Sequence, residues 1–415
     1  MINRIPGTHD MLNMQLYNAV LATIKEYLTR ATFSEISTPL IEHTELFQRS
    51  LGLGTDVISK EMYYVASAHA PAEERTLLCL RPEATAAIMR AYLNEAVQEQ
   101  PWKVFTVGPM FRHERPQKGR YRQFHQVSIE TLGASSVYED ALLLLLLERL
   151  FTERFSMRDH VLLINYMGCS TDKAAYTTLI RRYAEDHEDV LCTTCQERLQ
   201  TNVLRIFDCK IASCQTVLTK APYIAQSLCA TCTTEWNQLQ TILQQLSVNY
   251  IYTPHLVRGL DYYEKTVFEF TSSRLGAQAT FCGGGRYNKL ATEIGGKTDI
   301  PSIGAAIGIE RLLLLVEETF PLPPDPALYL IVPLSFEQQS LGMHLFDFLY
   351  TRGYATDILL QGDSLKRMLR IADKRGAHAC IIIGSDEQAA GTVTIKHMTT
   401  RTMITVPQSE LLQNL

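Results

Sequence analysis

FTVGPMFRHERPQKGRYRQFHQVSIE, running from Phe105 to Glu130, is the stretch on which the fold turns. Its arms extend as WKVFTVGPMF (Trp102 to Phe111) and RQFHQVSIETLG (Arg122 to Gly133), and both carry the two-residue periodicity of strands. The polar, Gly-containing RPQKGR between them reads as a turn, so the segment predicts a long antiparallel hairpin. On the returning arm Phe124, Gln126, Ser128 and Glu130 recur at every second residue and leave one face. A face packed on a core would be apolar. A ring, an amide, a hydroxyl and a carboxylate instead equip a pocket for a polar ligand. Arg112, Arg115, Arg120 and Arg122 surround the turn with Lys118, and Arg81 precedes them in LRPE. Such a cluster suits a polyphosphate; the plainer reading is a solvated edge hairpin with ordinary surface charge.

Outward from the hairpin, helical patterns at Leu16 to Arg30 and Glu83 to Gln98 surround the strands, giving an α+β unit built on an antiparallel sheet over residues 1–320. From about 169 to 254 the sequence turns helical, polar and rich in cysteine, and reads as an insertion. PLPPDP at 321–326 cannot continue a helix or a central strand and marks a linker. Residues 327–415 then alternate strand-like ALYLIVPL, YATDILL and ACIIIG with helix-like segments, which predicts an α/β domain whose sheet is at least partly parallel.

The bulk numbers narrow the function classes. Of 415 residues, 46% are hydrophobic and 20% charged, which excludes a disordered chain. The apolar run Ala141 to Leu147 is far shorter than the roughly 20 residues of a membrane span, so a buried helix and no membrane contact are expected. A net charge of -5 argues against coating nucleic acid through an overall positive field, so any RNA contact must be local. MINRIPGTHDML shows no secretory signal pattern, and a cytoplasmic location is the default.

Further segments give the hairpin its context. LRPE (Leu80 to Glu83), RGLDYYEKTVFEF (Arg258 to Phe270), FCGGGRYNKL (Phe281 to Leu290) and GAAIGIERLLLL (Gly304 to Leu315) follow one another around it, with FSEISTPLIEHTELF (Phe33 to Phe47) upstream. Taken singly, two adjacent tyrosines are ordinary core packing and GGGRY a tight turn. In this order, however, the chain resembles the class II aminoacyl-tRNA synthetases almost end to end. Within them RGLDYYEKTVFEF and FCGGGRYNKL resemble the two signature segments of histidyl-tRNA synthetases. The hairpin resembles motif 2, GAAIGIERLLLL motif 3, and FSEISTPLIEHTELF motif 1, with Pro39 where family members dimerise.

The resemblance implies the class II synthetase fold for residues 1–320, an anticodon-binding domain at 327–415, a homodimer, and ligation of L-histidine to tRNA(His) using ATP and Mg²⁺. It implies that Arg112 grips the α-phosphate, Arg120 the γ-phosphate and Phe124 the adenine, with Glu114, Gly308 and Arg311 completing an ATP site. It points to Glu83, Ala84, Thr85, Arg112, Gln126, Glu130, Arg258, Tyr262 and Tyr263 for histidine, with Arg112 and Arg258 catalytic. Neutral imidazole offers one N–H and one bare nitrogen, so a selective pocket needs an acceptor such as Glu130 and a tyrosine donor. Arg115 and Gln117 are expected to meet the tRNA acceptor end. The family usually has Gly where Ala84 stands, so Ala84 is expected to narrow a spot near the α-amino group; it usually has Asp where Asn288 stands.

Two features are read independently. Cys192-x-x-Cys195 and Cys229-x-x-Cys232, with Cys209 and Cys214 between them, have the spacing of a structural tetrahedral Zn²⁺ site, and Cys192, Cys195, Cys229 and Cys232 are its expected ligands. Lys366, Arg370 and Lys374 make a basic helix stripe beside Arg367, which is ordinarily a solvated face. The competing function is a catalytically silent paralogue: a regulatory subunit for histidine biosynthesis, or a sensor of histidine or tRNA.

Overall fold

The structure is a computed structural model that describes residues 2–52, 54–69, 71, 75–276, 279–360 and 364–415. These residues divide into two compact units, Met1–Leu322 and Pro323–Leu415.

The first unit is built on an eight-stranded sheet. The hairpin forms as Trp102–Phe111 paired antiparallel with Gln123–Leu132. Ser302–Gly308 follows it, then Thr280–Arg286, Glu264–Ser272 and His160–Tyr166, all antiparallel. The two-residue strands Ser34–Glu35 and Ile251–Tyr252 close the ends in parallel. One face of this sheet, including Val127, Ile129, Ile303, Ile307, Phe268 and Phe270, is buried under helices Gln15–Arg30, Val137–Arg149, Ala230–Gln245 and Ile309–Val316. Each aromatic or large aliphatic side chain there contributes roughly 1.5–3 kcal/mol of burial. The apolar run Ala141 to Leu147 lies in one of these helices, which starts at a Ser136/Glu139 capping box. No helix among the described residues is long and apolar enough to cross a membrane.

The cysteine-rich insertion is not an appendage. Its helix Ser170–Glu185 buries Tyr176 and Ile180 in a cluster that also holds Ile88, Val104, Met110 and Tyr262, while Trp236, Leu239 and Leu243 join the helices behind the sheet. The expected zinc set needs correction: Cys192 and Cys195 gather with Cys209 and Cys214, whereas Cys229 and Cys232 gather with Cys169 and Asp172. Spacing shows that a C-x-x-C pair can share an ion but not which other residues come to meet it.

The second unit has a five-stranded sheet ordered Ala355–Ile358, Leu328–Pro333, Ala379–Ile383, Thr392–His397, Met403–Pro407, parallel over the first three and antiparallel over the rest. Helix Gln339–Tyr350 packs Leu345 and Leu349 on the face of Tyr329 and Ile331. Helix Leu365–Lys374 packs Met368 and Ala372 on the face of Leu330 and Val332. Lys366, Arg370 and Lys374 lie on that second helix, away from these buried positions.

Candidate active site

The opposite face of the central sheet holds a cavity of about 360 Å³, and its floor follows from register. Ser128 pairs with Ala306, Ala306 with Gly283, and Gly283 with Glu269, so one row across four strands carries only two methyl-sized or smaller groups between two polar ones. The neighbouring pair, Gln126 with Gly308, is equally open on one side. Small residues at these positions leave room above the sheet. The Arg258 guanidinium uses that room: a Cβ on Gly283 would lie 2.7 Å from it. One row further, Gly304 pairs with Glu130, and a Cβ there would overlap the Glu130 carboxylate.

Charges on the walls are unequal in their partners. Arg258 is paired with Glu269, stands 5.9 Å from the Tyr263 ring, and is held above the usual guanidinium range by that carboxylate in spite of its burial. Its Nε nonetheless has no partner, and neither does the buried Oε1 of Gln126. Arg112 stands 5.4 Å from the Phe124 ring and donates from Nε to Pro82 O at 2.9 Å; Arg120 is paired with Glu114. Arg311 donates to the carbonyls of Gly119, at 3.1 Å, and Thr280. Burial, then repulsion from Arg120 and Arg112, pulls Arg311 down to about 10.

Glu83 caps helix Thr85–Asn94, accepting from the N–H groups of Thr85 at 2.6 Å and Ala86 at 3.0 Å. Glu130 is sealed beneath the cavity, accepting from Thr85 Oγ1 at 2.7 Å and from the Tyr287 hydroxyl; burial pushes its carboxyl up to about 8 despite both bonds. When ionised, a carboxylate has about four lone-pair sites, and these two hydroxyls occupy two of them.

Of the residues singled out in the sequence, Glu83, Thr85, Arg112, Glu114, Arg120, Phe124, Gln126, Arg258, Tyr262, Tyr263, Gly308 and Arg311 line this one cavity. Ala84 does not: it is fully buried at the start of its helix, so its methyl narrows the core and not the cavity. Arg115 and Gln117 are exposed on the hairpin turn. Arg81 and Arg122 brace the backbone, Arg81 donating to Thr38 O at 3.0 Å and Pro109 O at 3.2 Å, and Arg122 to Pro6 O at 3.1 Å. The Asn288 amide oxygen accepts from Arg286 Nη1 at 3.4 Å and Ser302 N at 3.3 Å, which an aspartate could equally do.

Sequence reasoning passed over Tyr287, Glu269, Glu310, Lys173 and Arg205. Lys173 donates to the carbonyls of Asp261 and Tyr263, each at 2.8 Å, and Arg205 to Gly259 O at 2.9 Å and to Asp56 at 3.0 Å, so the insertion holds the loop that carries Tyr262. Glu310 accepts from His125 N at 2.9 Å. Glu269 was discernible as a charge inside the apolar run Val267 to Phe270; Lys173 and Arg205 gave no signal, being unexceptional charges on helical segments.

A family model described as histidyl-tRNA synthetase matches residues 7–312, and one described as an anticodon binding domain matches 329–415. The chain belongs to the histidyl-tRNA synthetase family. It is 39% identical over 402 residues to a histidine–tRNA ligase of Nitratidesulfovibrio vulgaris, covering 96% of this chain and 94% of that protein. It is 38% identical over 416 residues to that of Halothermothrix orenii, covering 99% and 97%. Among solved structures, apo histidyl-tRNA synthetase of S. aureus superposes with a TM-score of 0.80 at 30% identity, over 100% of this chain and 99% of that one. In family terms the cavity is framed by motif 2, motif 3 and both signature segments, and the residues these segments contribute converge on one space.

Proposed function

We propose that this cavity joins L-histidine to ATP and that the enzyme then transfers the histidyl group to tRNA(His). The observation that carries the reading is the pair of orphaned polar atoms, Gln126 Oε1 and Arg258 Nε, a buried acceptor and a buried donor on the wall of one cavity. Leaving such atoms unpaired costs roughly 1–3 kcal/mol each, and the α-ammonium and α-carboxylate of an amino acid would satisfy them. Glu130 below, with Thr85 and Tyr287 on it, and Tyr262 and Tyr263 beside it supply an acceptor and hydroxyls for an imidazole.

The histidine carboxylate oxygen attacks the α-phosphorus of ATP, and the bond to the bridging oxygen breaks to release pyrophosphate. Arg112 and Arg258 stabilise charge on the α-phosphate oxygens and the carboxylate, Arg120 and Arg311 hold the departing phosphates, and Phe124 stacks on adenine. A terminal adenosine hydroxyl of the tRNA then attacks the acyl carbon, forming the ester and releasing AMP. Glu114 and Glu310 are oxygen donors on the same wall and would hold Mg²⁺, which prefers such ligands and neutralises phosphate charge. Arg115 and Gln117, exposed on the hairpin turn, would meet the acceptor end, and the C-terminal unit the anticodon.

A cytoplasmic homodimer belongs to the same reading. The exposed apolar side chains of Leu40 and Ile41 beside Pro39 support a dimer contact there.

Pyrophosphate exchange tested with each amino acid, followed by charging of tRNA(His), is the decisive experiment. Exchange dependent on histidine alone, with charging, is the expected result. Histidine binding without exchange would instead identify a silent regulatory paralogue, and exchange driven by another amino acid would overturn the substrate.

A further inference from the structure

The insertion holds two clusters that no step above uses. The ligand atoms of Cys192, Cys195, Cys209 and Cys214 all lie within 4.8 Å of one another, and the same limit holds Cys169, Asp172, Cys229 and Cys232. Between Cys192 and Cys209 the sulfurs are 3.9 Å apart. A disulfide requires about 2.05 Å, whereas four sulfurs placed tetrahedrally at about 2.3 Å from Zn²⁺ are about 3.8 Å apart. The observed separation excludes a disulfide and matches the spacing of a coordination shell.

Local structure explains how the sequence builds it. Cys192 and Cys195, Cys229 and Cys232, and Cys169 and Asp172 each occupy the capping and third positions of a helix, those of Thr193–Thr201, Ala230–Gln245 and Ser170–Glu185. The x-x spacing therefore aims both side chains at one point in front of a helix N-terminus, where the backbone dipoles favour anionic ligands. Backbone N–H groups already point at sulfur as they would at thiolate: Cys192 N at Cys214 Sγ, 3.2 Å, Ile211 N at Cys209 Sγ, 3.5 Å, and Cys169 N at Cys232 Sγ, 3.2 Å. Asp172 offers the second cluster a carboxylate oxygen, oriented by Cys229 N at 3.0 Å.

We propose that the insertion binds two Zn²⁺ ions, one on the four thiolates of Cys192, Cys195, Cys209 and Cys214, the other on Cys169, Asp172, Cys229 and Cys232. Each ion fixes a support of the cavity. The loop closed by the first carries Arg198 and Arg205, which hold Asp56 at 3.4 and 3.0 Å. The second sits at the start of the helix whose Lys173 holds the Asp261 and Tyr263 carbonyls.

The test is metal content and zinc K-edge absorption of the full-length chain, purified reduced and without chelator, beside its Cys195→Ser and Cys232→Ser variants. About two zinc per chain, with a shell of sulfur and a minor oxygen component, is expected, each variant losing about one. Because either substitution can unfold the insertion, the wild-type chain is also alkylated natively before and after zinc is stripped; the cluster thiols should react only after stripping. Zinc-free protein whose cluster thiols react at once, or disulfides among them in peptide mapping, overturns the proposal. One zinc per chain, lost with Cys195→Ser and kept with Cys232→Ser, overturns the second site and upholds the first.

Discussion

Glu130 answers to two hydroxyls, Thr85 Oγ1 and the Tyr287 hydroxyl, within a fully buried setting that raises its carboxyl from 4.5 to about 8. A folded-state value above the unfolded one means that the native state holds the proton longer. The stability this contributes is complete below pH 4.5 and is lost as pH rises through 8. Glu130→Gln should remove that slope, which is at most roughly 1.4 kcal/mol per pH unit. Denaturant unfolding of both proteins at pH 5 and pH 8.5 measures it, and equal losses in the two would show that another group titrates. Arg258 makes a kinetic prediction. With its Nε unpartnered beside the cavity and Glu269 holding its Nη1, Arg258→Ala should lower histidine-dependent pyrophosphate exchange on the order of 10²–10³-fold. Exchange at the normal rate would remove Arg258 from the mechanism.

At the scale of elements, neighbouring glycines on strand Thr280–Arg286 separate function from fold. A Cβ on Gly283 meets the far end of the Arg258 side chain at 2.7 Å, whereas a Cβ on Gly284 overlaps the Gly304 carbonyl and lies 2.8 Å from Ala305 Cα. Gly283→Ala should therefore raise the KM for histidine while leaving the melting temperature nearly unchanged. Gly284→Ala should destabilise the protein by about 1–3 kcal/mol, because backbone cannot swing aside as a side chain can. Thermal melts and exchange kinetics on the two variants check both; a reversed pattern would refute the assignment of faces. The hairpin, by contrast, was legible in full from the sequence. Two-residue periodicity over ten residues in each arm leaves little freedom in pairing, since a one-residue slip would turn Gln126, Ser128 and Glu130 into the apolar core that holds Val127 and Ile129.

For the molecule as a whole, the two units have separate cores, the second built on Tyr329, Ile331, Leu345, Ile381, Val393 and Ile395. A chain ending at Leu322 should keep histidine-dependent pyrophosphate exchange and lose most charging of tRNA(His), a split read directly from the ratio of the two rates. Loss of both activities would mean that the first unit depends on the second. The sequence by itself determined the elements and the side chains they carry: the alternating hairpin, the arginines around its turn, the two-residue face of Phe124, Gln126 and Ser128, and the order of the signature segments. These are properties of near neighbours in the chain, which periodicity records. Only the tertiary structure decided that Tyr287 meets Glu130, that Lys173 and Arg205 hold the tyrosine loop, and that the cysteines form two clusters instead of one. The tyrosine and loop contacts join residues 54 to 157 positions apart, and such meetings, like the assortment of the cysteine pairs, are set by how helices and strands pack, for which spacing along the chain carries no signal.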